Sequence, residues 1–260
     1  MSGAAQSDRT ILRVAGADTR DFLQGLVTNR LPDATSPITY AALLNPQGKY
    51  LADFFLIADA DDILIDCHGA LATGLAQRLG LYRLRAKVTI EMTELHASRG
   101  LGPAPKGALT DPRHPALGWR HYGPPPGTEP GAEPHSDPAT DWAALRVEHL
   151  VPESLIELIP DDSYILEMGF ERLHGVDFRK GCYVGQEVTA RMKHKTELRK
   201  GLARVAIDGS ATPGTPILTA DGKTAGTLFT RSGQRALAYL RFDRANGPLT
   251  AGSAKVTLDP

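Results

Sequence analysis

The sequence has few of the features that mark secreted, membrane-spanning or metal-dependent proteins. It contains only two cysteines, Cys67 and Cys182, which are too few and too far apart for a disulfide framework or a structural zinc site. No apolar run approaches the ~20 residues of a membrane-spanning helix. The first residues have neither an apolar signal core nor an arginine-rich bias, so a cytoplasmic location is expected.

The chain also lacks a dominant charge. It has 29 basic and 30 acidic residues, and this balance gives no reason to expect extensive nucleic-acid binding or attachment to an anionic membrane. A hydrophobic fraction of 42% and a charged fraction of 23% are ordinary for a globular protein. A chain of 260 residues buries enough surface to fold without a structural metal, and no metal site is expected. Composition alone leaves the function open.

Proline is concentrated in one stretch. Ten of the 19 prolines lie between Pro103 and Pro138. Because proline removes a backbone donor and restricts the residue before it, this stretch is predicted to hold neither a long helix nor a central strand. We expect a surface excursion over about residues 101–140.

The pattern on both sides of this stretch predicts an α+β protein. Strands are predicted at Thr10–Val14, Ile38–Leu44, Tyr50–Ala58, Ile63–Cys67 and Lys87–Met92. Helices are predicted after an N-cap at Asp18, over Ala70–Leu84 and Asp141–Leu150, and as short pieces near Pro152–Leu158 and Phe170–Leu173. From Leu198 onward, short apolar segments between Gly, Pro and Asp turns predict an antiparallel barrel or sandwich. The expected division is a body over residues 1–197 and a β module over 198–260.

One segment carries a chemical signal. Cys182 follows Gly181 within the run Lys180-Gly-Cys-Tyr-Val-Gly-Gln-Glu187. Seven Lys or Arg residues and two Glu residues lie between positions 179 and 200, a local charge of +5. Neighbouring cations stabilise a thiolate, and two flanking glycines leave it uncovered, which predicts a reactive, solvent-accessible Cys182. Cys67 lies in a predicted strand and is expected to be packed. The alternatives are an inert Cys182 that packs the turn and a basic run that forms a solvated face.

The same run matches the K-G-C-Y-x-G-Q-E signature, and the chain is identified by resemblance as a member of the YgfZ family. Further matching segments are Ile11–Asp18, Phe22–Asn29, Leu44–Gly48, Leu81–Val88, Asp111–Arg113 and Leu117–Arg120. Thr189-Ala-Arg191 is most similar to the mitochondrial branch of the family and its bacterial relatives. The family resembles the folate-binding T-protein of the glycine cleavage system, GcvT.

The resemblance implies a fold and a function. The expected fold is a GcvT-like α+β body of interleaved subdomains around a central channel that holds tetrahydrofolate, followed by a C-terminal antiparallel β-barrel. The implied role is the maturation or repair of iron-sulfur proteins, particularly 4Fe-4S proteins, together with the assembly machinery or client apoproteins. The expected location is the cytoplasm for a bacterial protein and the mitochondrial matrix for eukaryotic relatives.

Site residues follow from the matching positions. Cys182 is the expected reactive thiol at the mouth of the folate channel. Tyr183 and Gln186 are expected to bind the folate at the rim of that mouth, and Lys180 is expected near the glutamate tail of the folate. Glu167 matches a glutamate that pairs with the pterin, although a surface helix cap is the alternative. Arg146 matches an arginine of the body, for which a structural ion pair is the alternative.

Asp53 decides between two classes of function. The transferases have an Asp-Asp pair where this chain has Ala52-Asp53, so one carboxylate is missing. Ligand positioning is therefore favoured over a proton-relay role for Asp53. This departure favours a non-catalytic assembly factor over the two alternatives, an aminomethyltransferase-like one-carbon transferase and a factor related to tRNA modification.

Overall fold

The structure, a computed structural model, describes residues 4–5, 8–124, 140–194 and 198–259. The chain forms two compact units. The first contains Met1–Thr140 and Glu171–Gln186, and the second contains Asp141–Phe170 and Glu187–Pro260. The boundary expected at residue 197 lies outside the described residues and stays a prediction.

The first unit contains nine strands and two helices among its described residues. They are β1 (Ala4–Ala5), β2 (Arg9–Ala15), α1 (Thr19–Gln24), β3 (Ile38–Leu44), β4 (Tyr50–Asp59), β5 (Asp62–His68), α2 (Gly69–Arg83), β6 (Thr89–Met92), β7 (His96–Gly100), β8 (Leu109–Thr110) and β9 (Trp119–Gly123). The strands form a five-stranded antiparallel sheet in the order β3-β4-β5-β2-β6 and a four-stranded sheet in the order β1-β7-β9-β8.

The five-stranded sheet supplies most of the core of the first unit. Its inner strand β4 is buried along most of its length, and its apolar run is typical of such a strand. In α2 the buried residues Ala72, Leu75 and Leu79 recur at the spacing of one helical face. The helix α1 begins after Asp18, but the Asp18 side chain does not cap it. Asp18 therefore occupies the predicted N-cap position, but its carboxylate accepts a hydrogen bond from the Lys87 backbone instead of capping the helix.

The proline-rich stretch contains a strand that the proline count argued against. β9 lies between β7 and β8 in the four-stranded sheet, and Trp119 and Arg120 are buried within it. Proline is absent from the five residues of β9, so every residue keeps its backbone donor for the ladder. The prediction of no central strand is therefore wrong for residues 119–123, and residues 125–139 lie outside the described part of the chain.

The second unit contains a closed antiparallel barrel. The unit has two helices, α3 (Trp142–Glu148) and α4 (Gln186–His194), and the first residue of α4 still belongs to the first unit. The strands of the barrel are β10 (Lys200–Asp208), β11 (Pro216–Thr219), β12 (Thr224–Ser232), β13 (Arg235–Arg241), β14 (Leu249–Ala251) and β15 (Ala254–Leu258). The barrel order is β10-β13-β12-β11-β14-β15, and β15 pairs again with β10. Alternate residues of β10 are buried, as the two-residue period of a strand requires. The predicted antiparallel β module is confirmed as a barrel.

Two predicted short helices are wrong. Residues 152–158 and 170–173 form turns rather than helical segments. Leu155 has a φ of +66° and Gly169 a φ of +80°, and neither value continues a right-handed helix. In the described residues, no helix is long and apolar enough to cross a membrane.

Candidate functional site

The cysteine motif is held in place by the chain that follows α1. Thr28 donates its hydroxyl to the Gly175 carbonyl over 2.7 Å, and its own carbonyl accepts from the Asp177 backbone over 3.0 Å. Asn29 donates its side-chain amide to the His174 carbonyl over 2.6 Å. These contacts join residues almost 150 positions apart in the sequence and fix the approach of the chain to Cys182.

The second glycine of the motif packs against the hairpin turn between β3 and β4. Gly185 has a φ of +81°, and a Cβ at this position would lie 2.7 Å from the Asn45 carbonyl oxygen and 3.0 Å from the Gly48 Cα. Only a residue without a side chain fits this approach. Gly181 also has a positive φ, of +100°, but a Cβ there meets open space. Gly185 therefore docks the motif, whereas Gly181 shapes the backbone beside the thiol.

The two cysteines have opposite environments. Cys182 is exposed, and Cys67 is buried on β5. Burial raises the pKa of the Cys67 thiol to about 12, so Cys67 stays protonated at neutral pH. The prediction of an accessible Cys182 and a packed Cys67 is confirmed.

The Lys180 side chain anchors the cysteine motif through hydrogen bonds to two backbone carbonyl groups. Its ammonium donates to the Gln24 carbonyl over 2.5 Å and to the Val27 carbonyl over 2.7 Å, at the end of α1. Burial lowers the pKa of Lys180 to about 8, although attraction to Asp177 and Cys182 partly opposes that effect. An ammonium has three N–H donors, so one remains for a ligand.

Tyr183 and Gln186, the two predicted rim residues, differ in exposure. Tyr183 is buried, and the Lys180 ammonium lies 5.0 Å from the centre of its ring. Gln186 is half-buried and begins α4, with its backbone N–H donating to the Tyr183 carbonyl. Lys180, Cys182, Tyr183 and Gln186 thus form one local cluster in the first unit, whose outermost reactive atom is the Cys182 sulfur.

Asp53 lies in the same unit but is not open to solvent. Its carboxylate accepts hydrogen bonds from the Tyr40 hydroxyl over 2.9 Å and from the Tyr50 hydroxyl over 2.8 Å. Burial, and then the nearby Asp53, raise the pKa of Tyr40 well above its ordinary value, so the hydroxyl remains a donor. Both oxygens of Asp53 are therefore engaged by side chains of the unit.

Arg146 belongs to a buried polar cluster of the second unit. Its guanidinium pairs with Glu157, pairs with Glu153 over 2.8 Å, and donates to the Val151 carbonyl over 3.1 Å. Glu157 also accepts from the hydroxyl of Thr230 on β12 over 2.5 Å. This geometry favours the structural ion pair that the sequence left open for Arg146.

Glu167 is half-buried in the second unit. One carboxylate oxygen, Oε2, accepts a hydrogen bond from the Tyr239 hydroxyl over 2.5 Å. Burial, followed by the hydrogen bond to Glu167, raises the pKa of Tyr239 far above its ordinary value. No donor among the described residues contacts the other oxygen, Oε1. That oxygen is a suitable acceptor for an N–H group of a ligand.

Several polar residues inside the two units carry no signal in the sequence. Glu157 and Asp66 are buried carboxylates that each accept hydrogen bonds from more than one side chain, yet neither belongs to a spacing pattern that singles it out. Tyr40 and Tyr50 lie in strands whose apolar runs predict only packing. Arg113 and Arg120 fall in segments that the family resemblance includes, which is the one available clue to their importance.

Comparisons with known proteins extend this description. A family model described as "CAF17, C-terminal beta-barrel domain" matches residues 199–260. A crystal structure of glycine cleavage system aminomethyltransferase T from Bartonella henselae superposes with a TM-score of 0.65. The match covers 98% of this chain and 84% of that chain, at 12% sequence identity. It confirms the predicted GcvT-like fold of mixed α and β content.

Curated relatives are similar over most of the chain. The iron-sulfur cluster assembly factor IBA57, mitochondrial, of Homo sapiens is 34% identical over 93% of this chain and 78% of its own length. The Mus musculus protein of the same name is 32% identical with the same coverage. The homologue from Mycosarcoma maydis is 31% identical over 79% of this chain. The chain therefore belongs to the family of the mitochondrial iron-sulfur cluster assembly factor IBA57 and its homologues, a branch of the YgfZ family that its cysteine motif indicated.

Proposed function

We propose that this protein is an iron-sulfur cluster assembly factor that uses Cys182 as its reactive thiol. The observation that carries the proposal is the exposure of Cys182 in a turn fixed by Gly185 and by the chain after α1. An exposed thiol on a rigid turn reaches a partner protein without rearrangement of the fold. The relatives are iron-sulfur cluster assembly factors, which supports assembly as the process that this thiol serves.

The thiol count determines how Cys182 works. A cluster normally needs about four protein ligands, and this chain has two cysteines, one of which is buried. Cys182 is thus a single donor, and the remaining ligands of a transferred cluster come from the assembly machinery or the client apoprotein. In this proposal, the cluster is cargo shared between two proteins.

Complementation tests the role of the thiol. In a strain that lacks its own YgfZ, the wild-type protein is expected to restore the activity of 4Fe-4S enzymes, and Cys182→Ser is expected to abolish the rescue. The reason is that a serine hydroxyl remains protonated at neutral pH, whereas the thiolate is the nucleophile and the metal ligand. The measured quantity is 4Fe-4S enzyme activity per amount of enzyme protein.

Cys67→Ala is the matched control, because it removes the other thiol from a buried position. It is expected to complement fully. Full rescue by Cys182→Ser, at expression and melting temperature equal to those of the wild type, would contradict the proposal. Loss of rescue by both variants would point to instability, which the melting temperatures reveal.

We further propose that the protein binds tetrahydrofolate, with Glu167 at the pterin. The pterin presents an amino-pyrimidinone edge of N–H donors, and the Oε1 atom of Glu167 is an acceptor for such a donor. Tyr239 holds the other oxygen, Oε2, and so orients the carboxylate. Arg146 fits this role less well, because Glu153, Glu157 and Val151 already contact its guanidinium. When bound, the folate supplies one-carbon chemistry.

Calorimetric titration with tetrahydrofolate tests this second part. Glu167→Gln is expected to weaken binding about tenfold, because a hydrogen bond to a charged group contributes about 1.5–3 kcal/mol. The amide keeps an acceptor for Tyr239, so the local structure is preserved. Asp243→Asn, which neutralises an exposed carboxylate on the same unit, is the control and should bind folate like the wild type. Equal affinities in Glu167→Gln and the wild type would remove Glu167 from the site.

The alternatives receive less support. Aminomethyl transfer would need a carboxylate open to the substrate, whereas Tyr40 and Tyr50 engage both oxygens of Asp53. The nearly neutral charge of the chain gives little basis for a factor that modifies tRNA. The cytoplasmic location expected for a bacterial protein stays a prediction, and the similar human and mouse proteins are mitochondrial.

A further inference from the structure

A basic cleft opens beside the cysteine motif in the first unit. Its volume is about 450 Å³, and its lining includes Arg20, Asp21, Gln24, Arg30, Arg179 and Lys180. Four of these side chains are cations, and one is a carboxylate. The volume falls in the range of about 300–1,000 Å³ that is typical of small-molecule sites.

The cations of the cleft retain unused donors. Arg20 donates to the Pro32 carbonyl through one terminal nitrogen, and Arg30 pairs with Asp177 through Nε. Within the described ranges of the chain, no hydrogen bond or ion pair engages the guanidinium of Arg179. A guanidinium has five N–H donors in a planar fork that matches carboxylate and phosphate groups. With Asp21 and Asp177 counted against the four cations, a charge of about +2 remains for a ligand.

Lys180 connects the cleft with the reactive thiol. Its side chain lines the cleft, and Cys182 follows it by two residues in the same turn. The Lys180 ammonium has an N–H donor left after its bonds to Gln24 and Val27. An anion that accepts this donor would therefore be held at the turn that carries Cys182.

We infer that this cleft binds a small polyanion, with at least two carboxylate or phosphate groups, and holds it beside Cys182. The free donors lie on three separate parts of the chain, namely α1, residue 30 and residues 179–180. A ligand therefore needs at least two anionic groups to accept hydrogen bonds from more than one of these parts. Neither folate binding at Glu167 nor cluster assembly is a premise of this inference, since the cleft residues all lie in the first unit. A failure here would leave the proposed function intact, and the reverse also holds.

Titration with two probes tests the inference. At an ionic strength of about 20 mM, where screening is weak, citrate and tripolyphosphate are titrated separately into the full chain. Saturable binding of at least one probe is expected. Arg179→Gln should weaken that binding at least about fivefold, as expected for the loss of one charged hydrogen bond. Because Arg179 has no described side-chain partner, the variant should fold like the wild type.

Arg83→Gln is the matched control, since Arg83 is an exposed arginine of the same unit in the last turn of α2. Its affinity should equal that of the wild type. Tighter binding of citrate would identify a polycarboxylate as the ligand class, and tighter binding of tripolyphosphate a polyphosphate. Absence of saturable binding for both probes, or equal weakening by Arg179→Gln and Arg83→Gln, would overturn the inference.

Alkylation of Cys182 tests the placement of the anion beside the thiol. The anionic reagent iodoacetate and the neutral reagent iodoacetamide are compared by peptide mapping. The ratio of the iodoacetate rate to the iodoacetamide rate should fall at least about threefold in Arg179→Gln, because the cleft attracts only the anion. The bound probe should slow iodoacetate most. A rate ratio equal in the wild type and Arg179→Gln would show that the cleft does not direct anions to Cys182.

Discussion

Replacement of Asp66 by asparagine is expected to lower the free energy of unfolding by about 3–5 kcal/mol, because it removes the counter-charge nearest to two buried arginines. The Asp66 carboxylate is fully buried and pairs with Arg9 over 2.7 Å and with Arg120 over 2.6 Å. It also accepts from the Tyr122 hydroxyl over 2.8 Å. Asparagine has nearly the same shape but carries no charge.

This carboxylate joins the two sheets of the first unit. Asp66 lies on β5 and Arg9 on β2, whereas Arg120 and Tyr122 lie on β9 of the four-stranded sheet. The Arg120 guanidinium lies 3.9 Å from the centre of the Phe55 ring, so it cannot turn toward water when its partner is lost. The loss of its nearest counter-charge therefore lowers the stability of the unit, even though Asp111 stays 3.7 Å from Arg120.

Thermal and urea unfolding measure the effect. For a chain of this size each kcal/mol corresponds to about 2–4 °C, so the melting temperature should fall by about 10 °C. Asp62→Asn is the matched control on the same strand, because Asp62 forms a partly exposed pair with Arg13. Such a pair contributes about 0–1 kcal/mol. Similar losses for the two variants would contradict a special role for the buried cluster.

The Asp66 cluster also predicts a pH dependence. Burial raises the pKa of Asp66, but the attraction of Arg9 and Arg120 outweighs it and holds the pKa below the ordinary value of 3.8. A depressed carboxyl pKa contributes stability that is complete above the unfolded-state pKa and is lost as the pH falls through the folded-state value. The stability difference between the wild type and Asp66→Asn should therefore shrink as the pH is lowered below about 4. A difference that stays constant to low pH would contradict this assignment.

Glu157→Gln is expected to destabilise the second unit by about 3 kcal/mol, the lower end of the range for a broken buried pair. Glu157 is buried and pairs with Arg146, while its other oxygen accepts from Thr230. The lower end applies because Glu153 remains as a partner of Arg146. The melting temperature and the amide hydrogen exchange of β12 measure the loss.

Glu148→Gln is the control for this variant. Glu148 is about half exposed and pairs with Arg204 and Arg235, so its neutralisation should cost less than about 1 kcal/mol. Faster exchange at Thr230 is expected in Glu157→Gln alone, because Glu157 accepts from the Thr230 backbone as well as from its hydroxyl. Unchanged exchange there would show that Glu157 does not hold β12.

The candidate site was largely predictable where glycine and cysteine mark it. Gly181, Cys182 and Gly185 lie within one contiguous run, so their proximity needs no folding information. The exposure of Cys182 also follows from that run and is confirmed. By contrast, Arg20 and Arg30 enter the basic cleft only because residues 28–30 pair with residues 174–177. Sequence separation concealed their proximity to Lys180.

The sequence by itself determined the fold class, the family and the antiparallel β module, whereas the pairing of β15 with β10 closed that module into a barrel. The spacing of Ala72, Leu75 and Leu79 in α2 is a local property, and the motif is a contiguous string. Such features do not depend on tertiary contacts, so they can be read from the sequence alone.

The tertiary structure decided what the charged residues do. Asp53, Asp66 and Arg146 bear the same groups as surface residues, and only the packing of distant strands and turns places them among their partners. Whether a carboxylate is a base, a ligand contact or a structural counter-ion depends on desolvation and on the nearest opposite charge. Desolvation and the nearest opposite charge are both set by tertiary packing. The sequence of this protein therefore left the roles of these charged residues open, and the folded structure decided them.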